Sequence, residues 1–130
     1  KNSEIIKQHT SAYTHELKRG VINNQMQSGR CWLFAGCAMV RDSLIGNKKV
    51  APDFNFSESY FYFFNMLEKS NYYLNKVINT HGEKLSRKAL RKVMNPAGPG
   101  NIADGGFFEY FEQLVEKYGM VPREAMCNGP

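Results

Sequence analysis

The segment from Cys31 to Ile45 leaves a folding chain few options. Trp32, Leu33, Phe34, Ala35, Ala38, Met39, Val40, Leu44 and Ile45 put apolar side chains in nearly every direction around a helix. A helix that is apolar all round has no face to offer water, so it predicts a central, buried element with others packed about it. Gly46-Asn47 supplies the stop signal. The start is sharper. The polar loop Asn24-Gln25-Met26-Gln27-Ser28-Gly29-Arg30 runs directly into Cys31, and the helix is predicted to begin at Cys31 or Trp32.

Three more helices are expected around it. Ser57 reads as an N-cap, with Glu58 in the first turn, where the helix dipole favours negative charge. Phe56 and Phe61 have the N′ and N4 spacing of a hydrophobic staple, and Tyr60, Phe63, Phe64, Leu67, Leu74 and Ile78 carry the helix on, weakened but not broken by Asn71 and Asn75. A third helix is predicted over about 83–93, with Leu85, Ala89 and Val93 on one face and Lys84, Arg87, Lys88, Arg91 and Lys92 on the other. The run Asn95 to Gly100 is a loop. A fourth helix is predicted over about 107–118, from Phe107, Phe111, Leu114, Val115 and Tyr118 at helical spacing, with Gly119 past its end and Pro122 beyond. Residues 1–30 read as a polar arm and loop, and 31–130 as a helical domain with few convincing strands.

Composition bounds the rest. In 130 residues the chain is 42% hydrophobic and has nine Phe and seven Tyr against one Trp, which fits one domain with an aromatic core. A net charge of +5 is ordinary for solubility and weak as a sign of an anionic partner. The basic side of the third helix reads as a solvated face. No binding motif or aromatic interleaving accompanies it, so nucleic acid is not expected as a partner. The aromatic run Tyr60 to Phe64 reads as core. Cys31, Cys37 and Cys127 make an odd, irregular set, which argues against a disulfide framework and fits a reducing compartment such as the cytoplasm. Cys31 and Cys37 are poorly spaced for zinc, and no metal or cofactor is expected. No apolar run approaches the roughly 18 residues of a membrane-spanning helix, and nothing at the start resembles a secretory signal.

Cys31 carries the chemistry. At a helix N-terminus it meets the positive end of the dipole and unpaired backbone N–H groups. Both favour sulfur as the anion, which is the nucleophile. Arg30 adds positive charge, and Ser28-Gly29 lets the chain turn and leave the sulfur accessible. Attack on a carbonyl would generate an oxyanion, for which the Cys31 N–H and the Gln25 side-chain amide, six positions earlier, can serve as donors. The plainer reading of a cysteine before an apolar helix is a small buried hydrophobe, and for Cys37 that reading stands.

The combination Gln25-Met-Gln-Ser-Gly-Arg-Cys31-Trp32 resembles the papain-like cysteine peptidases. The longer string NQMQSGRCWLFA is similar to the bleomycin hydrolase and aminopeptidase C branch. FSESYFYFFNMLEKSNYYL resembles that family's helix after the catalytic one, and ADGGFFEYFEQLVEKYGMVP its DGG segment and following helix. The resemblance implies the papain-like α+β fold, with this chain covering its mainly helical left-hand part. It implies that Cys31 is the nucleophile, that Gln25 is the oxyanion donor and that Trp32 packs beside the site. Gly105 and Gly106 would line the substrate cleft, where a peptide backbone must approach closely. A compatible local reading makes them a helix entry with Asp104 as N-cap. Ser28 stands where many relatives have a disulfide-forming cysteine, as in the cytosolic branch.

A base is missing. The papain-like order puts His and its Asn about 130 to 150 residues after the nucleophile, beyond Pro130, and His9, His15 and His81 all read as surface residues. The chain, which starts without Met, is therefore expected to be the N-terminal part of a larger enzyme, carrying the nucleophile half of the site and inactive alone. The resemblance implies peptide substrates and a homo-oligomer, commonly a hexameric ring. The competing reading is a non-catalytic peptide-binding or structural fragment that lacks a base.

Overall fold

The computed structural model describes residues 13–80, 82–93, 95 and 102–127. His9, His81 and the loop residues 96–100 lie outside that set. The elements are α1 (Cys31–Gly46), α2 (Glu58–Asn79), α3 (Arg87–Val93), α4 (Phe108–Tyr118) and a 3-10 turn over Arg123–Ala125. Among the described residues, β pairing is limited to an antiparallel bridge between Phe56 and Pro122.

Helices α1, α2 and α4 pack on one another around Trp32, Leu33, Cys37, Phe56, Phe61, Phe111 and Leu114. The core is aromatic, as the composition predicts. Phe61 meets Phe111 at 5.2 Å between ring centres, and Phe64 stacks on Tyr118 at 3.9 Å. Helix α1 can come this close to α4 because residue 36 is glycine: a Cβ there would lie 2.7 Å from the Phe111 ring. Both staple residues, Phe56 and Phe61, sit in this core, and Ser57 caps α2 by accepting the Tyr60 N–H at 3.1 Å.

In these helices the structure departs from the sequence reading in three places. Helix α1 is not buried all round: Met39 is 56% exposed, while Arg41, at 5%, is interior. Its guanidinium donates to the Val21 carbonyl (2.6 Å) and Asn55 Oδ1 (2.9 Å) and pairs with Asp42 at 2.9 Å. Asp42 in turn accepts the Gly20 N–H. A buried charge has to be paired in this way, and here the pairing pins residues 20–21 of the arm to α1. Asn23 is held likewise, donating to Asn55 Oδ1 (3.0 Å) and to the buried Glu58 (2.8 Å). Secondly, α2 is core only in its first two turns. At 22 residues it outruns α1 and α4, so Leu67, Leu74 and Ile78 are exposed, as is Phe63 from the aromatic run. Thirdly, α3 begins at Arg87 rather than near Glu83, because Ser86 accepts the Ala89 N–H and caps it there. Its basic residues, with Lys84, are exposed as expected.

Helix α4 starts one residue later than its apolar pattern predicts. Phe107 has extended backbone at the N-cap position and is exposed. Asp104 does not cap this helix; its bonds run to Gly29 and Trp32 at the start of α1. Helix α4 ends at Gly119, as the sequence predicts.

Candidate active site

Cys31 is the first residue of α1 and is exposed. The carbonyl of Arg30 accepts the N–H groups of Leu33 (3.0 Å) and Phe34 (3.2 Å). The N–H groups of Cys31 and Trp32 precede the first intrahelical bonds, as the first donors of any helix do. No side chain caps this end, and no acidic residue lies in its first turn. The helix thus presents its positive end at the sulfur.

The preceding loop is fixed by its own polar groups. Gln25 Nε2 donates to the Ser28 carbonyl at 2.7 Å, and Ser28 Oγ donates to the Gln25 carbonyl at 2.6 Å. Arg30 Nε donates to Ser28 Oγ at 3.1 Å, and the Met26 N–H to Asn24 Oδ1 at 2.8 Å. Met26 has φ 55, a left-handed conformation strained for such a side chain. The Gln25 amide nitrogen carries two hydrogens, and the Ser28 bond uses one of them. The charge of Arg30 is shared with aromatic faces: its guanidinium lies 5.2 Å from the Tyr62 ring centre and 5.9 Å from that of Phe34.

Trp32 joins this loop to the Gly105-Gly106 segment. It is buried, and its Nε1 donates to the Asp104 carbonyl at 3.1 Å. The Asp104 carboxylate accepts the Gly29 N–H at 2.7 Å. Gly106 packs on Trp32 so tightly that a Cβ would lie 2.5 Å from Cε2 of the indole. Glycine at 106 is thus required by the protein's own tryptophan, a different reason from the one its motif suggests. Gly105 is exposed, and a Cβ there would meet nothing within 4 Å. Lys69, on α2, donates from Nζ to the carbonyls of Ala103 (2.7 Å) and Gly105 (2.6 Å). Burial lowers the pKa of Lys69, with the Asp104 carboxylate acting against that.

The structure therefore brings Gln25, Cys31, Trp32, Gly105 and Gly106 into one connected region. It also adds Lys69 and Asp104, for which the sequence offers little signal beyond an acid beside two glycines. Cys37 is a contrast within the same helix. It is 3% exposed, and burial, reinforced by the Glu58 carboxylate, pushes its thiol up to about 12. All three cysteines are free thiols. Among the described residues no cluster of His, Cys, Asp and Glu is suited to a metal ion, and no helix is long and apolar enough to cross a membrane. His15, the one described histidine, is exposed.

The fold is the mainly helical part of the papain-like cysteine peptidase architecture: the chain matches the crystal structure of PepW from Lactobacillus rhamnosis with a TM-score of 0.75 at 35% identity, over 98% of this chain and 28% of that one. The sequence model of the Peptidase C1-like family matches residues 1–129, and the chain belongs to that family. It is 35% identical over 125 residues to aminopeptidase E of Lactobacillus helveticus, covering 96% of this chain and 27% of that protein. Aminopeptidase C of Listeria monocytogenes is 35% identical over 114 residues, 88% of this chain and 25% of the relative. The mitochondrial cysteine proteinase 1 of Saccharomyces cerevisiae is 32% identical over 109 residues, 84% and 22%. The chain spans about a quarter of the length of these relatives.

Proposed function

We propose that this chain supplies the nucleophile side of a cysteine peptidase of the aminopeptidase C and bleomycin hydrolase type. The observation that carries this reading is the exposed Cys31 at the uncapped start of α1, preceded by a loop that holds the Gln25 amide in place. Cys31 Sγ attacks the carbonyl carbon of a peptide bond. The Cys31 N–H and the second hydrogen of Gln25 Nε2 receive the developing oxyanion. Collapse of that intermediate breaks the C–N bond, the amine leaves with a proton, and a thioester remains on Cys31. Water then hydrolyses the thioester and frees the thiol. The proton relay needs a base, in this family a histidine oriented by asparagine, contributed by chain outside these 130 residues. Alone, the chain hydrolyses no peptide.

The names of the related aminopeptidases support peptide substrates trimmed from the amino end. Free thiols at all three cysteines support a reducing compartment such as the cytoplasm. Assembly of the whole enzyme into a homo-oligomer follows from the same family reading.

The test uses the full-length protein and a peptide-based, thiol-directed inactivator. Loss of hydrolysis with one equivalent of label mapped to Cys31 is the expected result. Full inactivation with the label on Cys127, or hydrolysis that persists after Cys31 is labelled, would reject the assignment.

A further inference from the structure

We propose that Lys69 and Asp104 are positioning residues that lock the glycine-bearing wall of the cleft to the loop carrying the nucleophile. The proposal rests on the reading of Cys31 as that nucleophile. Asp104 holds the chain on both sides of Cys31: its carboxylate takes the Gly29 N–H and its carbonyl takes the Trp32 indole N–H. These contacts join positions 75 and 72 residues apart in sequence. Lys69 grips the same segment from α2 through the carbonyls of Ala103 and Gly105, which flank Asp104. The Tyr110 ring completes the enclosure. It lies 5.8 Å from the Lys69 ammonium and meets Trp32 edge-on at 6.1 Å.

Two consequences follow. The Gly105 carbonyl is turned to Lys69, so an extended peptide pairing with this wall meets a fixed set of the remaining backbone groups. The Asp104 carboxylate favours the charged form of Lys69, against the cost of its burial. Substrate binding and nucleophile placement are then coupled through one short segment, and catalysis is sensitive to small misplacements of such groups.

The experiment is kinetic analysis of the full-length enzyme carrying Lys69→Met, Lys69→Arg, Asp104→Ala or the Lys69→Met/Asp104→Ala pair. Lys69→Met should raise KM on the order of tenfold and lower kcat by a smaller factor, since it frees the wall directly and Gly29 only through Asp104, and hydrogen bonds to a charged donor are worth about tenfold. Asp104→Ala should lower kcat by a similar order, because it releases Gly29 beside the nucleophile. The double variant should lose less than the product of the two, as residues acting through one segment do. Lys69→Arg, which keeps the charge and the donors, should restore most of the binding. Amide hydrogen exchange supplies a readout independent of activity: the Gly29 N–H should exchange faster in both Lys69→Met and Asp104→Ala. Unchanged KM in Lys69→Met, or unchanged Gly29 protection in both variants, would overturn the clamp. Cys31→Ala is assayed alongside. Hydrolysis that survives there rejects the nucleophile assignment instead, and leaves the exchange measurement to judge the clamp.

Discussion

Helices α1 and α2 begin in opposite ways. At α2, Ser57 is fully buried, accepts the Tyr60 N–H and donates to the Met126 carbonyl. Glu58 follows, buried at the positive end of the dipole and paired with Arg123 at 3.3 Å and Asn23 at 2.8 Å. At α1, Arg30 offers no side-chain acceptor, the first turn holds no acid, and Cys31 is exposed. One helix start is closed by its own side chains, which stabilises the fold. The other is left electrostatically unsatisfied, which suits it to an anion that forms only during a reaction. A capping carboxylate at α1 would stabilise that helix and compete for the same N–H groups.

The largest effect should come from removing the sulfur at the open start. In the full-length enzyme, Cys31→Ala should abolish peptide hydrolysis, by on the order of a millionfold if it behaves as other lost nucleophiles do. Cys37→Ala, in the closed interior of the same helix, should leave the rate essentially unchanged. Comparable losses in both variants would erase the distinction between the two ends of α1.

Gln25→Ala comes next. Losing one oxyanion donor costs roughly a hundred- to a thousandfold in kcat, and KM should move little. A change confined to KM would make the Gln25–Ser28 bonds structural alone and leave the open start without its second donor.

At the closed start, Ser57→Ala should destabilise the protein by about 0.5–2 kcal/mol, the usual range for a lost N-cap, read from urea unfolding. Its kcat should match the parent enzyme. A stable Ser57→Ala with impaired turnover would reverse the roles assigned to the two helix starts.

At neutral pH the smallest effect is expected from the two thiols of α1, whose contrast in stability emerges only in alkali. Folding holds the Cys37 thiol at about 12, above its ordinary 9.0. The contribution is therefore complete below pH 9 and is lost as pH rises toward about 12, because the unfolded chain releases this proton first. Unfolding followed against pH should show a decline over that window that Cys37→Ala lacks. Alkylation of the folded protein near pH 8 should mark the exposed Cys31 and Cys127 and spare Cys37, which is buried and whose thiol burial keeps protonated.

What the chain reveals by itself is local. The cap at Ser57, the staple of Phe56 and Phe61, the end of α4 at Gly119 and the start of α1 at Cys31 all follow from side chains a few residues apart. Their spacing fixes which groups meet within one turn of helix. The same reasoning errs where local signals compete. Asp104 has the residue type of an N-cap and does other work, and Ser86 starts α3 later than its apolar face suggests. Met39 looks interior by composition and is exposed, because burial depends on which side of α1 the other helices cover.

The sequence alone determined that a thiol stands at a helix start behind a polar, glycine-bearing loop, and that several apolar helices must pack together. Tertiary structure decided the rest, because it depends on residues far apart in the chain. Arg41 is interior only because Val21, Asn55 and Asp42 surround its guanidinium. Position 106 must be glycine only because the Trp32 ring lies against it. Lys69 and Asp104 become part of the site only when α2 and the loop before α4 meet beside Gly29. Periodicity and capping act over one or two turns of helix, whereas these contacts span tens of residues and exist only once the helices have packed.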